Sequence, residues 1–571
     1  MLGCECYCLE DDYEELFPAE SSKPFSLPAP LPQWPPGQDF ATGRICLGEV
    51  EVVQVTKFER IWSCKLSRKK SKGISFYRPV DIPDGFFSLG HYCQPDDKQM
   101  QAYGLVAREV AGLTRDHQAH ELASEIPALT KPLGYTLVWS SSSRNDGHGF
   151  IWLPNAPSGY KSMGFVITNK ADEPELEEVR CVRADLTVSC ETGDVLFSAD
   201  TIRIWDIRPC EQGMLCKGVS VGTFFCSPLG WTYFCGSYLS SLNEYNIGCL
   251  KNLDTTLNAM PNLEQIHELI KQYGPTVYFH PDEEYLPSSV SWFFKNGALL
   301  YKHGKDEGIA IDSTGSNLPG GGENDGKFWL DLALDNNDRN YLMCGNIESA
   351  ELYVHVKPAL GGSFTDIAMW IFCPFNGPAT IKAPLMNIAL NKVGQHVGDW
   401  EHFTLRISNF TGELWSVYFS EHSGGEWIDA CEIEFIQDNK PIVYSSKHGH
   451  ASYPHAGCYI QGSSKLGIGL RNDCAKSKYF IDSSINYQIM AAEYLKEGVM
   501  TEPHWLQYMR EWGPKIVYDA RSEADKIISH LPFLVRFAVE SLFDLFPTEL
   551  YGEEGPTGPK EKDNWLGDER C

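Results

Sequence analysis

The chain has no apolar run long enough to cross a bilayer, and its first residues carry no basic stretch ahead of an apolar core. Those two absences argue against a helical membrane span and a secretory leader, and point to a protein made and kept in the cytosol. Positive charge is scarce: 48 Lys and Arg stand against 76 Asp and Glu, a net charge of −28. That balance disfavours nucleic-acid partners and adsorption of the whole surface onto anionic lipid, so any membrane contact must be local. No C-x-x-C pair occurs among the 19 cysteines, which removes the zinc-ribbon and thioredoxin readings and leaves reduced, mostly buried thiols. No H-E-x-x-H occurs, and no G-K-[ST] follows the glycines at Pro319-Gly320-Gly321-Gly322. What is present is a folding composition, 43% apolar and 12% aromatic, over 571 residues, a length that suits two or three domains.

The pattern is mainly β. Residues 1–40 read as an extended Cys/Pro-rich lead-in, 41–250 as a β-module with internal repeats, 262–480 as a β-sandwich carrying a His/acid cluster, 481–550 as a helical brace and 551–571 as a polar tail. Phe76-Tyr77-Arg78-Pro79 with Gly85-Phe86 and Leu89-Gly90 recurs as Ile151-Trp152-Leu153-Pro154 with Gly159-Tyr160 and Met163-Gly164. Ile61-Trp62-Ser63 and Val138-Trp139-Ser140 precede the two copies, and Arg208-Pro209 with Gly213 and Gly218 is a weaker third echo. Repetition on this scale means a module of similar hairpin units. Asn262 and Gln265 form an N-cap and N3 pair ahead of Leu263, Ile266, Leu269 and Ile270 at helical spacing, with Gly274 as the stop. Tyr487 to Leu495 and Glu523 to Phe546 also read as helices.

Chemistry concentrates in Gly394-Gln395-His396-Val397-Gly398-Asp399-Trp400-Glu401-His402. On a strand, Asp399 and Glu401 share one face while Trp400 and His402 share the other. Two carboxylates that close need a metal, a proton or a basic partner between them. Hard oxygen donors favour Ca²⁺ or Mg²⁺, with His396 as a further ligand, and Asn376 at the turn after Asp366–Cys373 comes within reach. Six of the 16 histidines fall between His396 and His455. His448 and His450, an H-x-H pair, are the candidates for a general base. Asp282 and Glu283, after Tyr278-Phe279-His280-Pro281, read as acids that either join the main cluster or only solvate a turn, the turn being preferred. At the other end, Cys4, Cys6 and Cys8 are candidate S-acylation sites, and the run Lys65 to Lys72 is the one basic stretch suited to anionic lipid.

The order W-I-F-C-P-F-N followed by H-V-G-D-W-E-H resembles two segments of the necrosis- and ethylene-inducing peptide-like toxins. That resemblance implies an actinoporin-like β-sandwich, a divalent cation held by the matching acids, and recognition of lipid head-group sugars. His396, Asp399 and Glu401 match the toxins' His, Asp and Glu, while Gly398 stands where they have a second His and Asn376 where they have Asp. One lost carboxylate implies weaker cation binding. Met1-Leu2-Gly3-Cys4-Glu5-Cys6, Phe76-Tyr77-Arg78-Pro79, Tyr278–Glu283 with Tyr285–Ser289, and Asp399-Trp400-Glu401-His402 together resemble the plant vacuolar protein sorting-associated protein 62 family. This implies endomembrane trafficking without assigning chemistry. The repeat itself is similar to the adaptor-binding signature of large bridge-like lipid-transfer proteins, which implies a protein-interaction surface, although a repeated β-unit needs the same residues merely to fold.

The expectation is a trafficking protein, cytoplasmic and peripheral to the endomembrane or vacuole. Its pocket would bind a ligand or lipid head-group with the help of a cation, and its partners would be a membrane surface and trafficking proteins. The competing readings are a metal-dependent hydrolase using the same cluster and a structural scaffold.

Overall fold

The structure, a computed structural model, describes residues 5–8, 24–64, 73–110, 126–141, 147–228, 242–383, 386–390, 393–422, 424–463, 468–516 and 555–569. The basic run Lys65–Lys72, Cys4 and the expected helix Glu523–Phe546 lie outside the described residues.

The first half is built from three copies of one unit, so the faint third echo at Arg208-Pro209 marks a complete repeat. The central strands are Ile74–Pro79, Gly149–Pro154 and Ile202–Pro209, and each ends on the repeat's proline. Each lies between two antiparallel neighbours, Phe58–Cys64 and Tyr92–Pro95 in the first unit, Tyr135–Ser141 and Val166–Thr168 in the second, Cys190–Ser198 and Phe224–Pro228 in the third. The hairpin register slips at the same place in the first two units, between Arg60 and Trp62 and between Leu137 and Trp139, and a comparable slip follows Thr192 in the third. Such bulges bend and twist the strand. The inner faces meet in one core holding Trp62, Phe76, Ile151, Phe165, Phe224 and Phe225. Phe76 and Phe165, from different units, both lie against Phe224, with ring centroids 5.3 and 6.0 Å apart. The repeat's Leu-Gly and Met-Gly steps have a reason here: a Cβ on Gly90 or Gly164 would stand 2.7 or 2.4 Å from the Thr223 side chain.

The second half opens with α1 (Leu263–Tyr273), whose Asn262/Gln265 capping box is formed in both directions. Strands then follow as β1 (Thr276–Phe279), β2 (Leu352–Ala359), β3 (Phe364–Asn376), β4 (His396–Ser408), β5 (Leu414–Glu421), β6 (Gly424–Asp429), β7 (Lys440–Ser445), β8 (Phe480–Asp482) and β9 (Tyr487–Ala491). Six make one sheet in the order β6-β5-β4-β3-β2-β9. One face, with Val354, Ile367, Ile371, Phe403 and Val417, packs on Ile266, Leu269 and Ile270 of α1 and on Val277 and Phe279 of β1. The opposite face, with Tyr353, Trp370, Phe372 and Trp400, packs on Phe293, Trp505, Trp512 and Trp565. A sheet covered on both sides accounts for β3 being buried over nearly its whole length.

Two expectations need correction. Tyr487–Ala491 is strand β9, parallel to β2, not the start of a helix. The free edge of β2 and the two apolar layers outweigh helical spacing, because Tyr487 and Ile489 enter one layer while Met490 enters the other. The stretch expected as a polar tail is packed into the fold: within 555–569, Trp565 and Glu569 are buried. The lead-in is likewise packed from residue 24, with Trp34 against Phe40 and Tyr273. Its first described residues, Glu5–Cys8, form an edge strand on Gly457–Ser463.

Candidate functional site

Register along β3 and β4 sets the site: Asn376 faces His396, Cys373 faces Asp399, Ile371 faces Glu401 and Trp370 faces His402. Asp399 and Glu401 therefore share the Phe403 side, and Trp400 and His402 the other, as the alternation requires. β5 follows β4 only from Phe403↔Phe419 to Ile407↔Leu414. Upstream of Phe403 the two strands part, and Ser420 spans the gap, accepting from the His402 N–H (3.4 Å) and donating to Glu401 Oε2 (2.8 Å). The splay opens a cavity of about 460 Å³ that reaches side chains from both faces of β4. A ligand pocket ordinarily spans about 300–1,000 Å³.

His450 is fully buried, with Nδ1 2.7 Å from Asp399 Oδ2 and Nε2 2.8 Å from the Tyr285 carbonyl. Burial would lower its pKa, but the Asp399 hydrogen bond and the buried Glu283 carboxylate hold it above the usual imidazole range. Asp399 is correspondingly low, since the His450 bond and the His396 charge outweigh its burial. The Glu401 carboxyl is pushed up to about 8 by burial and by Asp399. Both ring nitrogens of His450 are committed, so it holds Asp399 in place and is not set as a base. His448 keeps an Nε2 with no partner, its Nδ1 lying 3.4 Å from the Pro378 carbonyl. The Cys373 thiol is pushed up to about 11 by burial, which leaves it neutral.

Glu283 does more than solvate a turn. Its side chain is wholly buried, accepts from the His448 N–H (2.7 Å) and the Tyr285 N–H (2.9 Å), and lies 3.9 Å from His450 Nε2. It braces the loop that carries both histidines, which hold left-handed φ values of 68° and 55°. Backbone strain of this kind gathers at functional sites.

Of the donors that the toxin resemblance implies for a cation, His396 and Asp399 are paired, but His396, Asp399 and Glu401 do not close as a trio within 4.8 Å. His396 Nε2 and Asp399 Oδ1 stand 3.9 Å apart, and ligands of one ion at about 2.0–2.5 Å each lie roughly 3–4 Å from one another. Among the described residues, the groups that close within 4.8 Å are Cys373/Asp399/His450 and Asp429/Cys431/Glu432. In the first, His450 has no nitrogen to spare; in the second, Lys98 already reaches Glu432 at 2.9 Å and Asp429 at 3.4 Å. His396, Asp399, Glu401 and Asn376 all line the cavity.

Sequence reasoning missed one wall. Lys562, Asn564, Asp568 and Glu569, from the supposed tail, line the cavity beside β4. Glu569 bonds His402 (3.1 Å), Thr404 (2.7 Å) and Asn564 (3.0 Å), and His402 stacks on Trp370 at 4.4 Å. The one available signal was Trp565, an aromatic within a polar stretch that ends in Asp568-Glu569. Asn472 and Lys447, opposite, were also missed.

Residues 21–569 match the family described as vacuolar protein sorting-associated protein 62. The chain belongs to that family. Two yeast relatives of this member, both from Saccharomyces cerevisiae, are the vacuolar protein sorting-associated protein 62, 24% identical over 285 residues, and a putative vacuolar protein sorting-associated protein, TDA6, 21% identical over 299 residues. The matches cover 42% and 44% of this chain and 58% and 60% of the relatives, so the chain spans about three fifths of their length. Among solved structures, GNIP1Aa from Chromobacterium piscinae matches with 14% identity and a TM-score of 0.26, over 39% of this chain and 40% of that one. Necrosis and Ethylene inducing Protein 2 from the agent of cocoa's Witches Broom disease matches with 18% identity and a TM-score of 0.16, over 32% and 76%.

Proposed function

We propose that this family member serves vacuolar protein sorting as a binding protein, holding a polar head-group in the cavity at the parting of β4 and β5. A divalent cation at Asp399, Glu401 and His396 would assist. The observation that carries the reading is the cavity itself: about 460 Å³, walled by the His396–His402 segment, the loop of His448 and residues 562–569. Binding is favoured over hydrolysis because the better-placed imidazole, His450, is tied to Asp399 and to a backbone carbonyl. Attachment to a membrane would be peripheral, since no helix among the described residues is long and apolar enough to cross one.

The test is the melting temperature of purified protein with and without Ca²⁺, Mg²⁺ or Mn²⁺. A ligand that binds only the folded state raises it, and the rise is expected in wild type and lost in Asp399→Asn with Glu401→Gln. An equal rise in the double variant would remove the cation from this cavity. Metal-dependent turnover of phosphoesters or esters that disappears in His448→Ala would favour the hydrolase.

A further inference from the structure

Charge and hydrogen-bonding capacity around the cavity are lopsided. The acids on its walls are almost all spoken for: Asp399 by His450, Glu401 by Ser420, Asp473 by Arg471 (2.8 Å), Asp568 by Arg406 (3.2 Å) and Glu569 by His402. The exception, Asp563, is exposed at the rim. Lys447 and Lys562 also line the cavity, and neither ammonium has a hydrogen bond or ion pair within 4 Å among the described residues.

The buried atoms that lack partners tell the same story. Five belong to residues of this cavity, and all five are nitrogens: Trp370 Nε1, Trp400 Nε1, Asn472 Nδ2, His396 Nδ1 and His448 Nε2. An indole N–H can only donate, and so can the Asn472 amide nitrogen. His422 Nε2 lies 3.0 Å from Asn472 Oδ1, which occupies the carbonyl end and leaves the NH₂ unmatched. Asn472, Trp370 and Trp400 are 3%, 1% and 4% exposed, a degree of burial at which an unmet donor is destabilising. His448 differs. With Nδ1 directed at the Pro378 carbonyl, its neutral ring presents a lone pair at Nε2, a group that accepts from a hydroxyl.

We infer that the cavity takes a phosphorylated polyol. Its phosphoryl oxygens would be met by Lys447, Lys562 and the Asn472 amide, and a ring or chain hydroxyl would donate to His448 Nε2. An uncharged polyol leaves the two ammonium groups unanswered, and a cationic head-group such as a quaternary amine meets them as like charges. A phosphate ester supplies several strong acceptors and negative charge at once. Resting on the binding reading of the same cavity, this assignment adds the class of ligand. The shared chemistry occurs in two sources, the head-group of a phosphoinositol lipid and a soluble phosphate ester.

The experiment is calorimetric titration of purified wild type, Lys447→Met, Lys562→Met and Asn472→Asp with myo-inositol 1-phosphate, free myo-inositol and inorganic phosphate. It is followed by flotation with phosphatidylcholine vesicles made with and without phosphatidylinositol. Expected is binding of the phosphate ester with no detectable heat from free myo-inositol, weakened roughly tenfold or more by each variant, the usual value of a charged hydrogen bond. Circular dichroism of each variant checks that it folds; Lys447 and Lys562 are partly exposed, and Asn472→Asp is isosteric. Flotation only with phosphatidylinositol identifies the lipid source, and soluble binding without flotation identifies the free ester. Free myo-inositol binding as tightly as its phosphate, or variants that bind like wild type, would overturn the inference. No phosphate binding beside an intact cation-dependent melting shift overturns the ligand class alone, whereas loss of both removes the binding reading as well.

Discussion

Replacing Glu569 by Gln tests whether residues 555–569 are a fixed wall of the cavity. Burial by itself would raise this carboxyl, but the His402 imidazole, Lys357 and the Asn564 amide outweigh it and hold the pKa at about 2, against an ordinary 4.5. A difference of about 2.5 units, at 1.36 kcal/mol each, is about 3 kcal/mol of docking at neutral pH. The residue is 5% exposed, so solvent screens little of it. A depressed folded pKa stabilises above the unfolded value and ceases to do so as pH falls through the folded one. The contribution is therefore full above 4.5 and fades towards 2. Hydrogen-exchange mass spectrometry of the 555–569 peptides is the assay. At neutral pH the variant is expected to exchange faster by on the order of a hundredfold, since each 1.36 kcal/mol is a factor of ten. The ratio of variant to wild type should shrink on acidification. Equal rates at neutral pH, or a ratio that grows as pH falls, would refute the ion-pair account and leave the wall held by Trp565, which stacks on His355 at 3.9 Å.

In metal-free protein, Glu401 with its pKa near 8 binds a proton more tightly folded than unfolded. Stability should then fall as pH climbs from about 4.5 through 8, and Glu401→Gln should flatten that slope in thermal melts; parallel profiles would show the carboxyl to be ionised. Arg406 makes a two-bonded pair with Asp366 (2.8 and 2.7 Å), reaches Asp568 and lies over Trp427 at 4.0 Å. Arg406→Met, by stranding a buried carboxylate, should cost about 3–5 kcal/mol in denaturant unfolding, and adding Asp366→Asn should recover part of it. Gly90→Ala should destabilise the repeat module through its contact with the Thr223 methyl, 2.7 Å from the added Cβ, and Thr223→Ala, which removes that methyl, should restore some of the lost melting temperature. Changing Cys4, Cys6 and Cys8 together to Ser is expected to shift the protein from membranes to the soluble fraction in cell fractionation, because stable anchoring needs two lipid signals; a triple variant that stays on membranes would place attachment elsewhere.

Local pattern was enough for much of this molecule. The capping box at Asn262 and Gln265, the alternation that sends Asp399 and Glu401 to one face, and the first two copies of the Trp-bearing unit depend on residues close in sequence, whose side-chain periodicity follows from backbone geometry alone. The pattern of short runs broken by Gly and Pro also carried the mainly β class. Contacts across long separations decided the rest. Tyr487–Ala491 became a strand because β2 had an open edge and apolar layers on both sides, a demand no local spacing records. Glu283 proved to be a brace only once the loop of His448, 165 residues away, was folded onto it. The cavity exists because β5 leaves β4 at Phe403, and its far wall is supplied by Lys562 and Glu569. Which of two carboxylates keeps a proton was likewise invisible in D-W-E: Asp399 has His450 beside it and Glu401 has a serine, and that difference in neighbours, set by tertiary packing, splits their ionisation.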